Sequence, residues 1–73
     1  MTDTNAVRKI IKDKGLKYSY IAERIGITPY SLQLKIDNKR EFTVTQVTKL
    51  CDLLHITSLT RRQELFFREK VDL

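Results

Sequence analysis

Hydrophobic residues recur along this chain of 73 residues at the three- and four-residue spacing of amphipathic helices, in five separate stretches. With only two Gly and one Pro, the chain also has few of the turn residues that a many-stranded fold needs. We therefore predict an all-α fold, a compact bundle of five helices. The predicted helices cover about residues 4–14, 19–25, 28–37, 44–54 and 61–70.

The first two predicted helices are separated by Gly15, a residue that tolerates the left-handed backbone of a helix end. Ser19 opens the second helix, where its hydroxyl is able to cap the free backbone groups. The apolar positions of both helices fall on one face each. They are Val7, Ile10 and Ile11 in the first helix, and Ile21, Ala22 and Ile25 in the second.

The third helix is predicted to begin almost immediately after Gly26 ends the second. Thr28 is a favourable N-cap, and Pro29 occupies the first helical position, where its missing N–H costs nothing. Leu32 and Ile36 lie four residues apart on the inner face. The outward face is predicted to carry Tyr30, Gln33, Leu34 and Asp37.

The fourth and fifth helices are each predicted to begin with a capping box, in which a cap hydroxyl is followed three residues later by Gln. Thr43 and Gln46 form the first such pair, and Thr60 and Gln63 the second. His55 stands just beyond the fourth helix, at a position that helices often give to Gly. The apolar row of the fourth helix is predicted to be Val44, Val47, Leu50, Cys51 and Leu54.

The fifth helix is predicted to bury some of Leu65, Phe66 and Phe67. Adjacent residues on a helix point in different directions, so Phe66 and Phe67 cannot both face one core. One of them is therefore expected to be exposed or to contact a partner chain, as in a homodimer.

Composition narrows the class of protein. A hydrophobic content of 41% suits a compact core, and the length suits one domain over residues 1–73. The single Cys51 excludes an intramolecular disulfide and is expected to be a buried thiol that packs as a small apolar group. The chain has no apolar run long enough to span a membrane, and its N-terminus does not look like a signal peptide. A soluble, cytoplasmic protein is expected.

Charge favours an anionic partner. The chain has 14 Lys and Arg against nine Asp and Glu, a net charge of +5. With one His, one Cys and no carboxylate pair at a useful spacing, it offers no metal-ligand set and no catalytic constellation. We therefore expect no enzyme activity, no cofactor and no small-molecule substrate, and we interpret His55 as a helix-end residue.

Residues 18–37 carry the most informative pattern. A short helix, one Gly at the turn and a capped helix immediately afterwards predict a sharp bend, and the small Ala22 allows the two helices to pack closely. One face of the third helix is then left uncovered. A recognition helix is presented to the DNA major groove in this way.

These residues resemble the helix-turn-helix of the phage Cro and repressor (XRE-like) family, most closely in Ile21-Ala22 and Gly26-Ile27-Thr28. The resemblance extends over about residues 4–56, although the fourth helix ends in Leu54-His55-Ile56 where the family usually has Leu-Gly-Val. More narrowly, residues 34–42 and Phe66-Phe67 are similar to small Cro-like proteins from temperate phages of Gram-positive bacteria.

The resemblance implies a lambda-repressor-like fold and a transcriptional regulator in the bacterial host cell. Such a protein would bind double-stranded operator DNA, and it could form a homodimer through the fifth helix. The family's base-reading residues fall on Thr28, Pro29, Tyr30, Gln33 and Leu34. Its phosphate-binding residues fall on Lys17, Tyr18, Ser19, Lys39 and Arg40.

The chain differs from the family pattern at two places. Tyr18 and Pro29 stand where the family often has Gln. Ile11 and Ile36 take the positions of a buried Arg–Glu pair, which a packed apolar pair can replace.

Other interpretations of individual residues remain open. Tyr30 opposes the inner face in helical phase, so exposure is favoured over a core position, whereas Tyr20 is expected to pack. Tyr18 either packs or donates to a phosphate. The basic cluster over residues 8–17 could be a solvated face.

A second function also remains open, an antirepressor or modulator of repression that binds a partner phage repressor protein. The apolar Pro29, Tyr30 and Leu34 on the recognition face, together with an exposed Phe, favour it. An antitoxin is a third class, for which the sequence has no dedicated signal.

Overall fold

The computed structural model describes residues 1–68, which form five helices and no strand. This confirms the all-α prediction. The helices are α1 (Thr4–Asp13), α2 (Tyr18–Ile25), α3 (Pro29–Ile36), α4 (Val44–Leu53) and α5 (Leu59–Phe66). The last residues predicted for the fifth helix, 69 and 70, lie outside the described residues.

The helices pack around a single apolar core. α2 lies against both α3 and α4, α1 contacts α3 and α5, and α4 contacts α5. The core takes its side chains from all five helices and from the end of α4. These are Val7, Ile11, Ile21, Ala22, Ile25, Leu32, Ile36, Val47, Leu50, Cys51, Leu54, Leu65 and Phe66. The predicted inner faces of α1, α2 and α3 are confirmed, and Ile11 and Ile36 are both buried.

Four of the five helices end in the same way, with a left-handed residue just beyond the last turn. These residues are Gly15, Gly26, Asn38 and His55, with φ between +58° and +84°. After each, the next backbone N–H turns back to a carbonyl in the last turn, as when Ile56 donates to Cys51 at 2.8 Å. The prediction that His55 occupies a glycine-like position is confirmed.

We expect His55→Gly to stabilise the protein, because a glycine has no Cβ to strain at φ +58°. The free energy of unfolding should rise by about 0.5–1 kcal/mol and Tm by about 2–8 °C. Thermal unfolding followed by circular dichroism measures this change. The opposite kind of change at another helix end, Gly26→Ala, should lower Tm. No other atom crowds that position, so the loss would come from the left-handed backbone at φ +84°.

The helix starts differ from the sequence prediction in two places. α2 begins at Tyr18, with Lys17 as its N-cap, so Ser19 lies inside the helix and the prediction that it is the cap was wrong. α5 begins at Leu59, because the Ser58 hydroxyl accepts the Arg61 N–H, so the capping box predicted at Thr60 and Gln63 was also wrong. The other predicted capping box, at Thr43 and Gln46, is present, so that prediction is confirmed.

Two side chains expected to pack are exposed. Val44 is 70% exposed because it is the first residue of α4, before the helix turns its inner face to the core at Val47. Tyr20 is 45% exposed, because the inner stripe of α2 belongs to its neighbours Ile21 and Ala22. Both packing predictions were wrong.

The prediction for the two adjacent aromatics is confirmed. Phe66 is 4% exposed, and its ring meets the Phe42 ring edge to face, with the centroids 5.7 Å apart. Phe67 is 45% exposed. Phe67 is therefore the aromatic that a partner could contact.

Residues 1–3 form an N-terminal strap that the sequence did not predict. The Asn38 side chain accepts the Thr2 N–H at 2.7 Å and donates to the Thr2 carbonyl at 2.8 Å. On the other side, the Asp3 N–H donates to the carbonyl of Leu65 at 2.7 Å. The strap thus joins the turn after α3 to the end of α5, and Thr2 is buried between them.

Cys51 is buried in α4 and forms no disulfide. Burial raises the pKa of its thiol, which therefore stays neutral and packs as an apolar group.

Within residues 1–68, no helix has the length and apolar character to cross a membrane.

Candidate nucleic-acid interface

The junction between α2 and α3 fixes the direction in which α3 leaves α2. Gly26 adopts φ +84°, and the Ile27 N–H donates to the carbonyl of Ala22 at 2.9 Å. Thr28 then caps α3 by accepting the Ser31 N–H at 3.1 Å. Because Ala22 is fully buried, the two helices pack closely around it. Residues 26–28 therefore form a short bend that backbone and capping hydrogen bonds hold in place.

Four of the five predicted base-reading residues, all except Leu34, are exposed. Pro29, Tyr30 and Gln33 are exposed, with Tyr30 at 69%, which confirms the preference for its exposure. Leu34 is half-buried, so it offers only part of its side chain. The Thr28 side chain is exposed but its oxygen serves as the helix cap, and its hydroxyl proton remains available for a ligand.

Asp37 does not belong to the outward face, contrary to the sequence prediction. Its carboxylate pairs with the guanidinium of Arg8 on α1 and is half-buried. The pairing offsets a negative charge at the end of α3. Apart from this residue at its C-cap, α3 carries no acidic side chain that would repel a phosphate.

Lys39 and Arg40 are held beside the C-terminal half of α3 by their backbones. Both N–H groups donate to the carbonyl of Leu34, at 2.8 and 3.3 Å. Asn38, with φ +62°, makes this reversal of the chain, and the N-terminal strap holds its side chain. Both basic residues are exposed and follow directly after the end of α3.

Lys17, Tyr18 and Ser19 lie together at the first turn of α2. The other four helices begin with a side chain that accepts a backbone N–H, whereas Lys17 makes no such hydrogen bond. The first-turn N–H groups of α2 therefore remain open, and such groups favour an anion. Lys17 and Ser19 are exposed, while Tyr18 packs partly against the core.

The positive charges of Lys17, Lys39 and Arg40 are not neutralised by ion pairs within residues 1–68. Five basic residues pair with a carboxylate; they are Arg8, Lys9, Arg61, Arg62 and Arg68. Lys17, Lys39 and Arg40 pair with no carboxylate in the described part of the chain. Their charges are thus available for phosphates.

The structure does not join all the predicted site residues into one cluster. Among residues 1–68, no hydrogen bond links the start of α2 to α3, whereas Phe67 and Arg40 line the same small depression, beside Met1 and Thr2. Two residues that position parts of the candidate site, Lys35 and Asn38, were not identified from the sequence. Lys35 donates to the Gln46 side chain at 2.6 Å and so ties α3 to the cap of α4. Asn38 orients the basic turn, and its place in a polar stretch directly after a helix was the available signal.

Residues 1–68 contain no group of three His, Cys, Asp or Glu side chains placed to hold a metal ion.

We find no known protein family that matches the chain, no matching curated protein and no matching solved structure.

Proposed function

We propose that the protein is a Cro-like transcriptional regulator that binds double-stranded operator DNA through α2 and α3 in a phage genetic switch. The observation that carries the proposal is the exposed, acid-free outward face of α3 next to basic side chains that have no carboxylate partner in residues 1–68. Phosphate contacts of this kind position a protein on DNA, while side chains on the presented helix read the bases.

Each part of the surface has a distinct task in this proposal. The open first turn of α2 and Lys17 bind one phosphate, and Lys39 and Arg40 bind others beyond α3. Gln33 is the polar base reader, suited to the paired donor and acceptor of adenine. Pro29 and Tyr30 contribute apolar contacts, for instance to a thymine methyl group.

A binding assay on a pool of random duplexes tests the proposal. Fluorescence anisotropy should detect binding at low salt, and the logarithm of the affinity should fall linearly with the logarithm of the salt concentration because counterions are released. Repeated selection from the pool should yield one enriched sequence. Absence of binding at 50 mM salt (roughly the low end of the usual range) would contradict the proposal.

Gln33→Ala should alter which sequence is preferred. Loss of a bidentate pair with adenine costs about 1–3 kcal/mol of discrimination at that base pair. We expect the enriched sequence to become degenerate at one position, while binding to unrelated duplexes is unchanged. Parallel selections with the wild-type protein and the variant measure this difference; an identical preference in both would assign base reading to another residue.

The exposed apolar residues on α3 support the second candidate function, an antirepressor that binds a partner phage repressor. Tyr30 is largely exposed and Pro29 adjoins it, which is unusual for a face devoted only to polar bases. A pull-down with the repressor encoded nearest to this gene, using the wild type and a Tyr30→Ala/Leu34→Ala variant, separates the two functions. Partner capture that the variant loses, without DNA binding by either protein, would favour the antirepressor.

A homodimer forms part of the first proposal. Phe67 and Met1 are both exposed and lie beside the same small depression at the end of α5. Two copies meeting there would cover them, and a symmetric dimer would match two half-sites in the operator.

A further inference from the structure

A shallow groove runs between α2 and the end of α4 and includes no residue of the proposed DNA-binding surface. It consists of two depressions of about 390 and 350 Å³ that share Leu53 and His55. We call it the α2–α4 groove. Its other prominent lining residues are Lys14, Tyr20, Arg24 and Lys49.

The groove has an apolar centre built from two neighbouring helices. Tyr20 and Arg24 lie one turn apart on α2, and Lys49 and Leu53 lie one turn apart on α4. The Tyr20 ring is 45% exposed, and Leu53 is half-buried. An apolar side chain inserted between the helices would cover both.

Positive charge surrounds this centre. Lys14, Arg24 and Lys49 are exposed and form no ion pair with another residue in the described part of the chain. The acidic residue of the groove, Asp52, is already paired with Arg62 at 2.8 Å. The rim therefore complements a negatively charged ligand.

The backbone conformation of His55 is a second observation that indicates a binding role for the α2–α4 groove. It holds a left-handed backbone at φ +58°, which a glycine would adopt without strain. Strain of this kind concentrates at binding sites, where a side chain is kept for its contacts. The His55 ring is exposed and lines both depressions.

We propose that the α2–α4 groove docks an acidic segment of a partner protein that carries a bulky apolar anchor residue. The anchor would cover Tyr20 and Leu53, and its flanking carboxylates would meet Arg24 and Lys49. A nucleic acid fits less well, because its phosphate backbone brings no apolar group to the centre of the groove. The protein would thus bind a second protein on a surface separate from α3, whether or not α3 binds DNA.

An NMR titration of the isotope-labelled full chain tests this proposal with a defined probe. The probe is a synthetic amphipathic helix of Glu, Ala and Leu, and its control replaces every Glu by Gln. The Glu peptide should shift the amide signals of Tyr20, Arg24, Lys49, Leu53 and His55, and its affinity should fall as salt is added. The Gln peptide should bind at least about tenfold more weakly, a difference of about 1.4 kcal/mol.

Charge-reversal variants locate the site. Arg24→Glu/Lys49→Glu should weaken the Glu peptide at least about tenfold. Lys9→Glu/Lys12→Glu makes the same change in net charge on α1 and should leave the affinity within about twofold. Circular dichroism melting confirms that each variant is folded, and Arg24→Gln/Lys49→Gln replaces the first variant if it is not.

Several results would overturn the proposal. These are no binding of the Glu peptide, equal binding of the Gln peptide, equal effects of the two double variants, or signal shifts that lie on α3 instead of the groove. A random duplex that shifts the groove residues and displaces the peptide would identify the groove as a phosphate-binding surface instead.

Discussion

Asn38→Ala is expected to lower the free energy of unfolding by about 2–5 kcal/mol, from two separate causes. Alanine in the left-handed region that Asn38 occupies costs about 1–2 kcal/mol. The substitution also removes both hydrogen bonds to the Thr2 backbone and leaves the N–H of this buried residue without its partner, which costs about 1–3 kcal/mol. A domain of this size is stable by only about 4–11 kcal/mol, so the loss is large.

Asn38→Gly separates the two causes. Glycine accepts the left-handed backbone freely, so only the side-chain hydrogen bonds to Thr2 of the strap and to Thr4 are lost, and the free energy of unfolding should fall by about 1–3 kcal/mol. Urea unfolding of the three proteins gives the values. A glycine variant as stable as the wild type would show that the strap contributes nothing; a glycine variant as unstable as the alanine variant would show that backbone strain contributes nothing.

Lys39→Ala/Arg40→Ala should produce the largest loss of DNA affinity. Each phosphate contact contributes about 0.9 to the slope of log affinity against log salt, so two lost contacts lower the slope by about 1.8. At 0.1 M salt this corresponds to roughly a sixtyfold weaker complex. The loss should be the same for every duplex sequence, because phosphates carry no sequence information.

A charge-matched control keeps this prediction specific. Lys9→Ala/Lys12→Ala removes two positive charges from α1 and leaves the turn after α3 intact. Its salt slope should equal that of the wild type. If both double variants lose affinity equally, net charge and not the basic turn accounts for binding.

The sequence predicted the parts of the fold that depend on local pattern. The inner faces of α1, α2 and α3 follow directly from apolar spacing, and the start of α3 follows from Thr28 and Pro29. The bend at Gly26 is likewise encoded in a few neighbouring residues. These features required no knowledge of distant contacts.

The remaining features depend on residues that are far apart in the chain. The strap joins Thr2 to Asn38 and Asp3 to Leu65, pairings that no periodicity indicates. Arg62 of α5 pairs with Asp52 of α4 at 2.8 Å, a contact between two helices that apolar spacing does not indicate either. Tyr20 lies beside the inner stripe that Ile21 and Ala22 occupy, and apolar spacing does not tell whether another helix covers such a border position.

In the candidate site, too, the features set by local pattern could be predicted, and those set by distant residues could not. The exposure of Tyr30 and Gln33 could be predicted from helical phase alone. The pairing of Asp37 with Arg8 could not, because the two residues are 29 positions apart in the chain. The start of α2 was placed one residue late, so the uncapped Lys17 became visible only in the structure.

An NMR titration of the labelled protein with the selected duplex shows whether DNA binds to α2, α3 and the turn after α3, as we propose. We predict that the shifted amide signals cluster at residues 17–19, 28–34 and 39–40, and that they return toward their free positions as salt is added. Signals that stay unshifted at low salt, or that shift only along the α2–α4 groove, would contradict the claim.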